Sequence, residues 1–311
     1  MTPAGSAPII EAQGLTISLG GEATSAAMVY DVGLAIQPGE CVGLVGESGS
    51  GKSLTGLALM GLLPAALAVR SGAVRFQGRD IATLEAQELR ALRGSEISMI
   101  FQDPSAALNP TRTVRKQLRD VVLAHRDVSR AEADRRVLNA LRSVGFPEPE
   151  QRYNAFPFQL SGGLKQRVCI AMALACEPRV VIADEPTTNL DVSVQAGILE
   201  LIRHRIDTDG FGCLFVSHDL GVISEVADRV VVMYSGEIVE TGTVADVINE
   251  PEHPYTRALI AAAPTMESSQ SNPLRPYSAP RPPLSATRPS SEMRPVRGSS
   301  THFVRVGTEG P

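Results

Sequence analysis

The stretch Gly46-Glu47-Ser48-Gly49-Ser50-Gly51-Lys52-Ser53 constrains this chain more than any other. It fits G-x-x-x-x-G-K-[ST], a loop whose backbone N–H groups wrap the phosphates of a nucleotide. Its flanks suit that geometry. Glu40-Cys41-Val42-Gly43-Leu44-Val45 reads as a buried strand, and Leu54 to Met60 reads as the start of a helix. A strand, a glycine turn and a helix in succession aim several N–H donors and the positive end of a helix dipole at one spot. Gly46, Gly49 and Gly51 let the backbone approach phosphate closely, with Ser48 in the same turn. Lys52 is placed to neutralise the β and γ oxygens, and the Ser53 hydroxyl to ligate Mg²⁺. A glycine-rich turn with a chance lysine is the competing reading; the full eight-residue match and its flanks disfavour it.

Composition narrows the setting. The 311 residues are 43% hydrophobic and 20% charged, which describes a globular chain able to bury a sizeable core. A formal charge of −5 gives no sign of a nucleic-acid binder. Cys41, Cys169, Cys176 and Cys213 are scattered, which argues against a zinc site or a disulfide framework and suits a reducing cytosol. The most apolar run, Leu57 to Val69, is too short to span a bilayer and is interrupted by Pro64. No signal peptide is read at the N-terminus.

Residues 1–8 read as a flexible leader. Ile9 to Leu19 and Met28 to Ile36 alternate apolar and polar residues, predicting half-buried strands of a small antiparallel sheet. Ser71 to Phe76 predicts a further strand. From about 81 to 175 the pattern is mostly helical, with Ser129-Arg130-Ala131-Glu132 resembling a capping box. Between the first two of these helices, Ser98 to Pro104 is an apolar strand ending at Gln102. From Arg179 onward strands and helices alternate, which builds a mainly parallel sheet. Residues 265–311 hold 8 prolines and 9 serines in 47 positions, with 6 arginines against 3 glutamates. Such a composition cannot bury a core, so this tail is expected to be disordered.

Hydrolysis needs more than a phosphate loop. Val180-Val181-Ile182-Ala183-Asp184-Glu185 is a buried strand with two carboxylates at its C-terminal end, where α/β sheets hold their ligands. Asp184 is placed to hold Mg²⁺ through water, and Glu185 to orient and deprotonate the attacking water. Gln102 closes another apolar run within reach of metal or water, and His218 closes a third as a γ-phosphate sensor. Asp191 follows the turn beyond the carboxylates. In Leu160-Ser161-Gly162-Gly163-Leu164-Lys165-Gln166-Arg167, a serine and two glycines open another helix and form a second anion pocket. One nucleotide site does not need two such pockets, so Ser161, Gly162 and Gly163 are expected to cap the γ-phosphate held by a second subunit.

Together these motifs resemble the ATP-binding subunit of an ATP-binding cassette (ABC) transporter, over roughly residues 9–264. In the family's order stand a Walker A loop (46–53), a Q-loop (Gln102), a signature motif (160–166), Walker B (180–184), the catalytic Glu185, a D-loop (189–191) and a switch His218. The resemblance implies a P-loop NTPase fold of class α/β, with a parallel-sheet core, a small antiparallel β subdomain and an inserted helical subdomain at about 81–175. It also implies a head-to-tail dimer that sandwiches two ATP, each with Mg²⁺, and drives membrane permeases. A narrower resemblance, to the oligopeptide, dipeptide and nickel importer ATPases, rests on Pro251-Glu252-His253-Pro254-Tyr255-Thr256-Arg257-Ala258-Leu259, within a motif spanning 251–264. It implies a second homologous ATPase subunit or a second copy of this chain, two permeases and an extracytoplasmic binding protein. The chain would then sit peripherally on the cytoplasmic face of the membrane.

The chain departs from that pattern in three places. Leu19 stands where an aromatic residue usually stacks on adenine, with Tyr30 a weaker substitute. The signature carries Leu164-Lys165-Gln166, peripheral to the serine and glycine contacts. The tail has no cysteine, so no iron–sulfur cluster is expected. Di- or oligopeptides are the expected cargo, with nickel or another metal complex as the alternative. A soluble, non-transport ABC ATPase is the alternative of another class; such proteins typically carry two cassettes or a long coiled-coil insertion, and neither is read here.

Overall fold

The computed structural model describes residues 7–20, 27–262, 291–296 and 299–307. They form two compact units, Met1–Thr83 with Leu214–Pro311, and Leu84–Cys213. In chain order the described strands are β1 (Ile10–Leu19), β2 (Ala27–Ile36), β3 (Cys41–Val45), β4 (Leu67–Phe76), β5 (Arg79–Asp80), β6 (Ile97–Ile100), β7 (Val180–Asp184), β8 (Gly212–Ser217), β9 (Arg229–Tyr234), β10 (Glu237–Thr243), β11 (Ser291–Pro295) and β12 (Phe303–Gly307).

The first unit carries an antiparallel sheet in the order β2-β1-β4-β5. Ile10 of the central strand lies opposite Ile36 on one side and Phe76 on the other, and all three are buried. Pairing to β1 extends β4 back to Leu67, opposite Leu19, four residues before the expected start at Ser71. Both registers slip near Gly14, which has φ +58°. There the chains come so close that a Cβ on Gly72 would lie 2.3 Å from the Gly14 carbonyl oxygen, so only glycine fits position 72.

A second sheet in this unit runs β11-β12-β10-β9-β3-β8. β3 is buried along its whole length and parallel to β9, and the chain turns back from β9 into antiparallel β10. The last two strands correct the sequence expectation of a disordered tail. Residues 291–295 and 303–307 pair with each other, and Val304 and Phe303 pair with Glu240 and Thr241. A hairpin added to a sheet edge takes its stability from ladder hydrogen bonds, so it does not need the core that its composition denies it. The expected leader is described only at Ala7 and Pro8, and residues 263–290, 297–298 and 308–311 lie outside the described residues.

In the second unit β6 and β7 are parallel and fully buried, Ile97 to Ile100 opposite Val180 to Ala183. Helices Val114–His125, Arg130–Ser143, Gly162–Leu174 and Val192–Asp209 supply its larger helical elements. The first two are held by buried Val122 and Ala133 and by Arg115, whose Nε donates to Asp134 at 3.0 Å. Ser129 caps the second, accepting from the Glu132 amide at 3.2 Å. The expected reciprocal half of that capping box is replaced: the Glu132 carboxylate accepts from Arg135 and Arg136 instead. Among the described residues no helix is long and apolar enough to cross a membrane.

Candidate active site

In the first unit, β3 delivers the chain to the phosphate loop. Gly49 and Gly51 have φ of +81° and +100°, a region that side-chain-bearing residues avoid. A Cβ on Gly46 would lie 2.1 Å from the Met233 carbonyl oxygen, so the loop lies flat against β9. The helix Lys52–Leu59 then begins with no acidic residue in its first turn. Lys52 is 5% exposed, and its Nζ donates to the carbonyls of Gly46 at 2.7 Å and Glu47 at 2.8 Å. Ser48 and Ser53 are at the surface. On the other side of the loop, the Glu47 N–H donates to the Tyr255 hydroxyl at 2.8 Å. Sequence reasoning saw Tyr255 only as part of a family motif. His218 follows β8 and is exposed, just before Asp219 caps the helix Leu220–Val226.

The second unit holds the carboxylates. Asp184 closes β7 and is 9% exposed; Glu185 follows it at φ +46°. The Gln102 amide donates to Glu185 Oε2 at 2.8 Å, and the Thr188 hydroxyl donates to the same oxygen at 2.9 Å. Thr188 was not singled out in sequence as a site residue; its position three residues after Glu185 in a turn is the signal that was there. The Gln102 amide nitrogen is thus engaged by Glu185, which leaves its carbonyl oxygen as the atom that can face a cation.

Ser161 caps the helix Gly162–Leu174, accepting from the Leu164 amide at 3.4 Å. A Cβ on Gly163 would lie 2.6 Å from Val194 Cγ1, and one on Gly162 3.8 Å from Leu190 Cδ2. The signature glycines therefore pack directly against the segment beginning at Leu190. Asp191 is exposed at the N-cap of the helix Val192–Asp209. Among the described residues no three His, Cys, Asp or Glu side chains cluster as a metal cage. Within the second unit the Asp184 carboxylate and the Gln102 carbonyl, and within the first the Ser53 hydroxyl, are each a hard oxygen donor of the kind Mg²⁺ takes while keeping water and phosphate ligands, so such a cage is not required. Leu19, at the expected adenine position, is 49% exposed, while the Tyr30 amide donates to Gly236.

Residues 29–188 match the ABC transporter family. The chain belongs to that family. Its cassette therefore binds ATP and hydrolyses it in the service of transport; cassettes of this family dimerise and work with membrane permease components. Residues 239–289 match a second family, the oligopeptide/dipeptide transporter C-terminal region. The ABC protein is 48% identical over 268 residues to the oligopeptide transport ATP-binding protein OppD of Bacillus subtilis, covering 84% of this chain and 73% of that one. It is 44% identical over 258 residues to a probable D,D-dipeptide transport ATP-binding protein, DdpD of Escherichia coli, covering 83% and 79%. Among solved structures, the dimeric ATP-binding cassette MJ0796 bound to ADP and Pi is 28% identical, with a TM-score of 0.67, 76% of this chain and 98% of that one aligned. The cassette cbiO1 of Clostridium perfringens is 26% identical, with a TM-score of 0.68, covering 79% and 92%. These neighbours agree with the α/β P-loop fold expected from the motifs.

Proposed function

We propose that this cassette powers the import of di- and oligopeptides. The observation that carries this reading is the match of residues 239–289 to the oligopeptide/dipeptide transporter C-terminal region. The chain pairs with a second homologous ATPase subunit or a second copy of itself, docks on two permeases at the cytoplasmic face, and receives cargo from an extracytoplasmic binding protein. Its cassette spans residues 9–264 and includes a helical subdomain at about 81–175, the motif at 251–264 completing it.

In hydrolysis, Gly46, Ser48, Gly49, Gly51, Lys52 and Ser53 bind the phosphates of ATP, and Ser161, Gly162, Gly163 and Asp191 complete the site of the partner subunit. Glu185 accepts a proton from the attacking water; Gln102 and Thr188 orient its carboxylate. His218 donates to the γ-phosphate. Mg²⁺, held through Ser53, Asp184 and Gln102, supplies positive charge against the phosphate oxygens.

The test is purification of the tagged chain from its own membranes in mild detergent, followed by mass spectrometry and ATPase assay in proteoliposomes. Co-purification of two permeases and an ATPase partner, with hydrolysis stimulated by peptide-loaded binding protein, is the expected result. Stimulation by a nickel complex and not by peptides would replace the cargo. Recovery from the soluble fraction alone would overturn the transport role.

A further inference from the structure

The phosphate loop is gripped at both ends of a single peptide unit. The Gly46 carbonyl accepts from Lys52 Nζ at 2.7 Å, and the N–H of the same Gly46–Glu47 peptide donates to the Tyr255 hydroxyl at 2.8 Å. Because a peptide is planar, fixing its N–H fixes the direction of its carbonyl, and with it the resting position of Lys52. Tyr255 is 1% exposed, and its ring packs tilted by 33° against Tyr234 of β9 with centroids 4.3 Å apart, so the hydroxyl has little freedom.

What holds Tyr255 leads back to the C-terminal hairpin. Tyr255 lies in the first turn of the helix Pro254–Ala261, and its amide donates to Nδ1 of the capping His253 at 3.1 Å. Burial pushes the His253 pKa below its ordinary value, which keeps that nitrogen an acceptor. The amides of Glu252 and His253 in turn donate to the two carboxylate oxygens of Glu240, at 2.9 and 3.0 Å. Glu240 is wholly buried, and a buried carboxylate is tolerated only when fully hydrogen-bonded. The contact from the hairpin side comes from His302, whose Nε2 lies 2.7 Å from Glu240 Oε1 and whose ring is 3% exposed. Gly242 makes room for that ring: a Cβ there would sit 3.1 Å from His302 Cδ2. Arg305, in the middle of β12, donates to the Ile238 carbonyl at 2.7 Å.

We infer that Tyr255 is a positioning residue for the phosphate loop, and that the hairpin at 291–307 sets Tyr255 through the contact of His302 with Glu240. The hairpin thereby tunes how readily the loop accepts ATP. This deepens the ATPase reading and rests on it only for the nucleotide.

The first readout needs no nucleotide: hydrogen exchange of the peptide covering residues 46–53 in the full-length protein. Tyr255→Phe keeps the packed ring and removes the acceptor, so exchange across that peptide accelerates, and the KM for ATP rises roughly fivefold with kcat nearly unchanged. His302→Ala moves both readouts in the same direction. His302→Gln, which retains a side-chain N–H donor, restores them toward wild type. Wild-type exchange and KM in Tyr255→Phe would overturn the positioning role. Altered values in Tyr255→Phe but not in His302→Ala would remove the hairpin from the relay. Lys52→Ala is the separate control on the nucleotide itself: if it still binds ATP normally, the phosphate-loop assignment fails, while the exchange comparison continues to decide the relay.

Discussion

The amide of Gln102 and the carboxylate of Glu185 lie 2.8 Å apart, joined by a hydrogen bond between loops that leave two adjacent parallel strands. Gln102 lies two residues beyond β6 and Glu185 one residue beyond β7, so strand pairing brings them together although 83 positions separate them. The Thr188 hydroxyl meets the same carboxylate oxygen. Glu185 is therefore aimed by two neutral donors.

Glu185→Gln keeps the shape and the binding groups but removes the proposed base. Turnover should fall by about 10²- to 10⁴-fold with ATP affinity retained, as measured by steady-state hydrolysis and nucleotide titration. Gln102→Ala removes only an orienting donor and should cost roughly tenfold in kcat. Equal losses in the two variants would mean that Gln102 does more than orient Glu185.

Gly163 presents a choice between packing and ligand contact. In Gly163→Ala the new methyl meets Val194 Cγ1 at 2.6 Å, which should destabilise the protein by about 1–3 kcal/mol. Adding Val194→Ala makes room and should recover most of the lost Tm. If Gly163 also approaches a nucleotide, hydrolysis stays low in the stable double variant; full recovery of activity would reduce Gly163 to a packing role.

The parts of this molecule written in local chemistry were legible from sequence. The loop at 46–53, the carboxylates after Val180–Ala183 and the cap at Ser161 each carry their geometry within a few residues. What escaped depends on partners distant in the chain. Tyr255 matters through Glu47, 208 positions away, and no periodicity announces that bond. The hairpin at 291–307 was hidden by its proline and serine content, because ladder pairing to β10 and one buried histidine replace a hydrophobic core. Glu132 looked like half of a capping box, yet two nearby arginines compete for it with charged donors.

Arg115 and Asp134 tie two helices of the second unit. The Arg115 guanidinium hydrogen-bonds Asp134 and holds its carboxyl below the ordinary value of 3.8. A carboxylate with a depressed native pKa stabilises the fold above its unfolded pKa, and that contribution fades as pH falls through the native pKa. Asp134→Asn should lower stability at pH 7 by no more than about 1 kcal/mol, since both side chains remain partly solvated. Denaturant unfolding should show the difference shrinking as pH falls below the ordinary value of 3.8 and the carboxylate takes up its proton. A difference that persists in acid would assign the effect to packing.

Cys169 makes the opposite pH prediction. Its thiol is buried in the helix Gly162–Leu174, and burial, aided by the Asp103 charge, pushes its pKa from 9.0 up to about 12. The native protein then keeps the thiol protonated at a pH where the unfolded chain has already released the proton. The stability this gives is complete below pH 9 and is lost as pH rises toward 12, with a limiting slope of about 1.4 kcal/mol per pH unit. Comparing urea unfolding of wild type and Cys169→Ala between pH 8 and about 10.5 isolates this group, because the other ionisations largely cancel in the difference. Wild type should lose stability faster than the variant above pH 9. Iodoacetamide, which reacts with thiolates, should spare Cys169 in the native protein at pH 8 and label it once the chain is unfolded. Rapid native labelling at pH 8, or parallel stability curves for the two proteins, would show that the thiol ionises without leaving its site and that burial does not hold its proton.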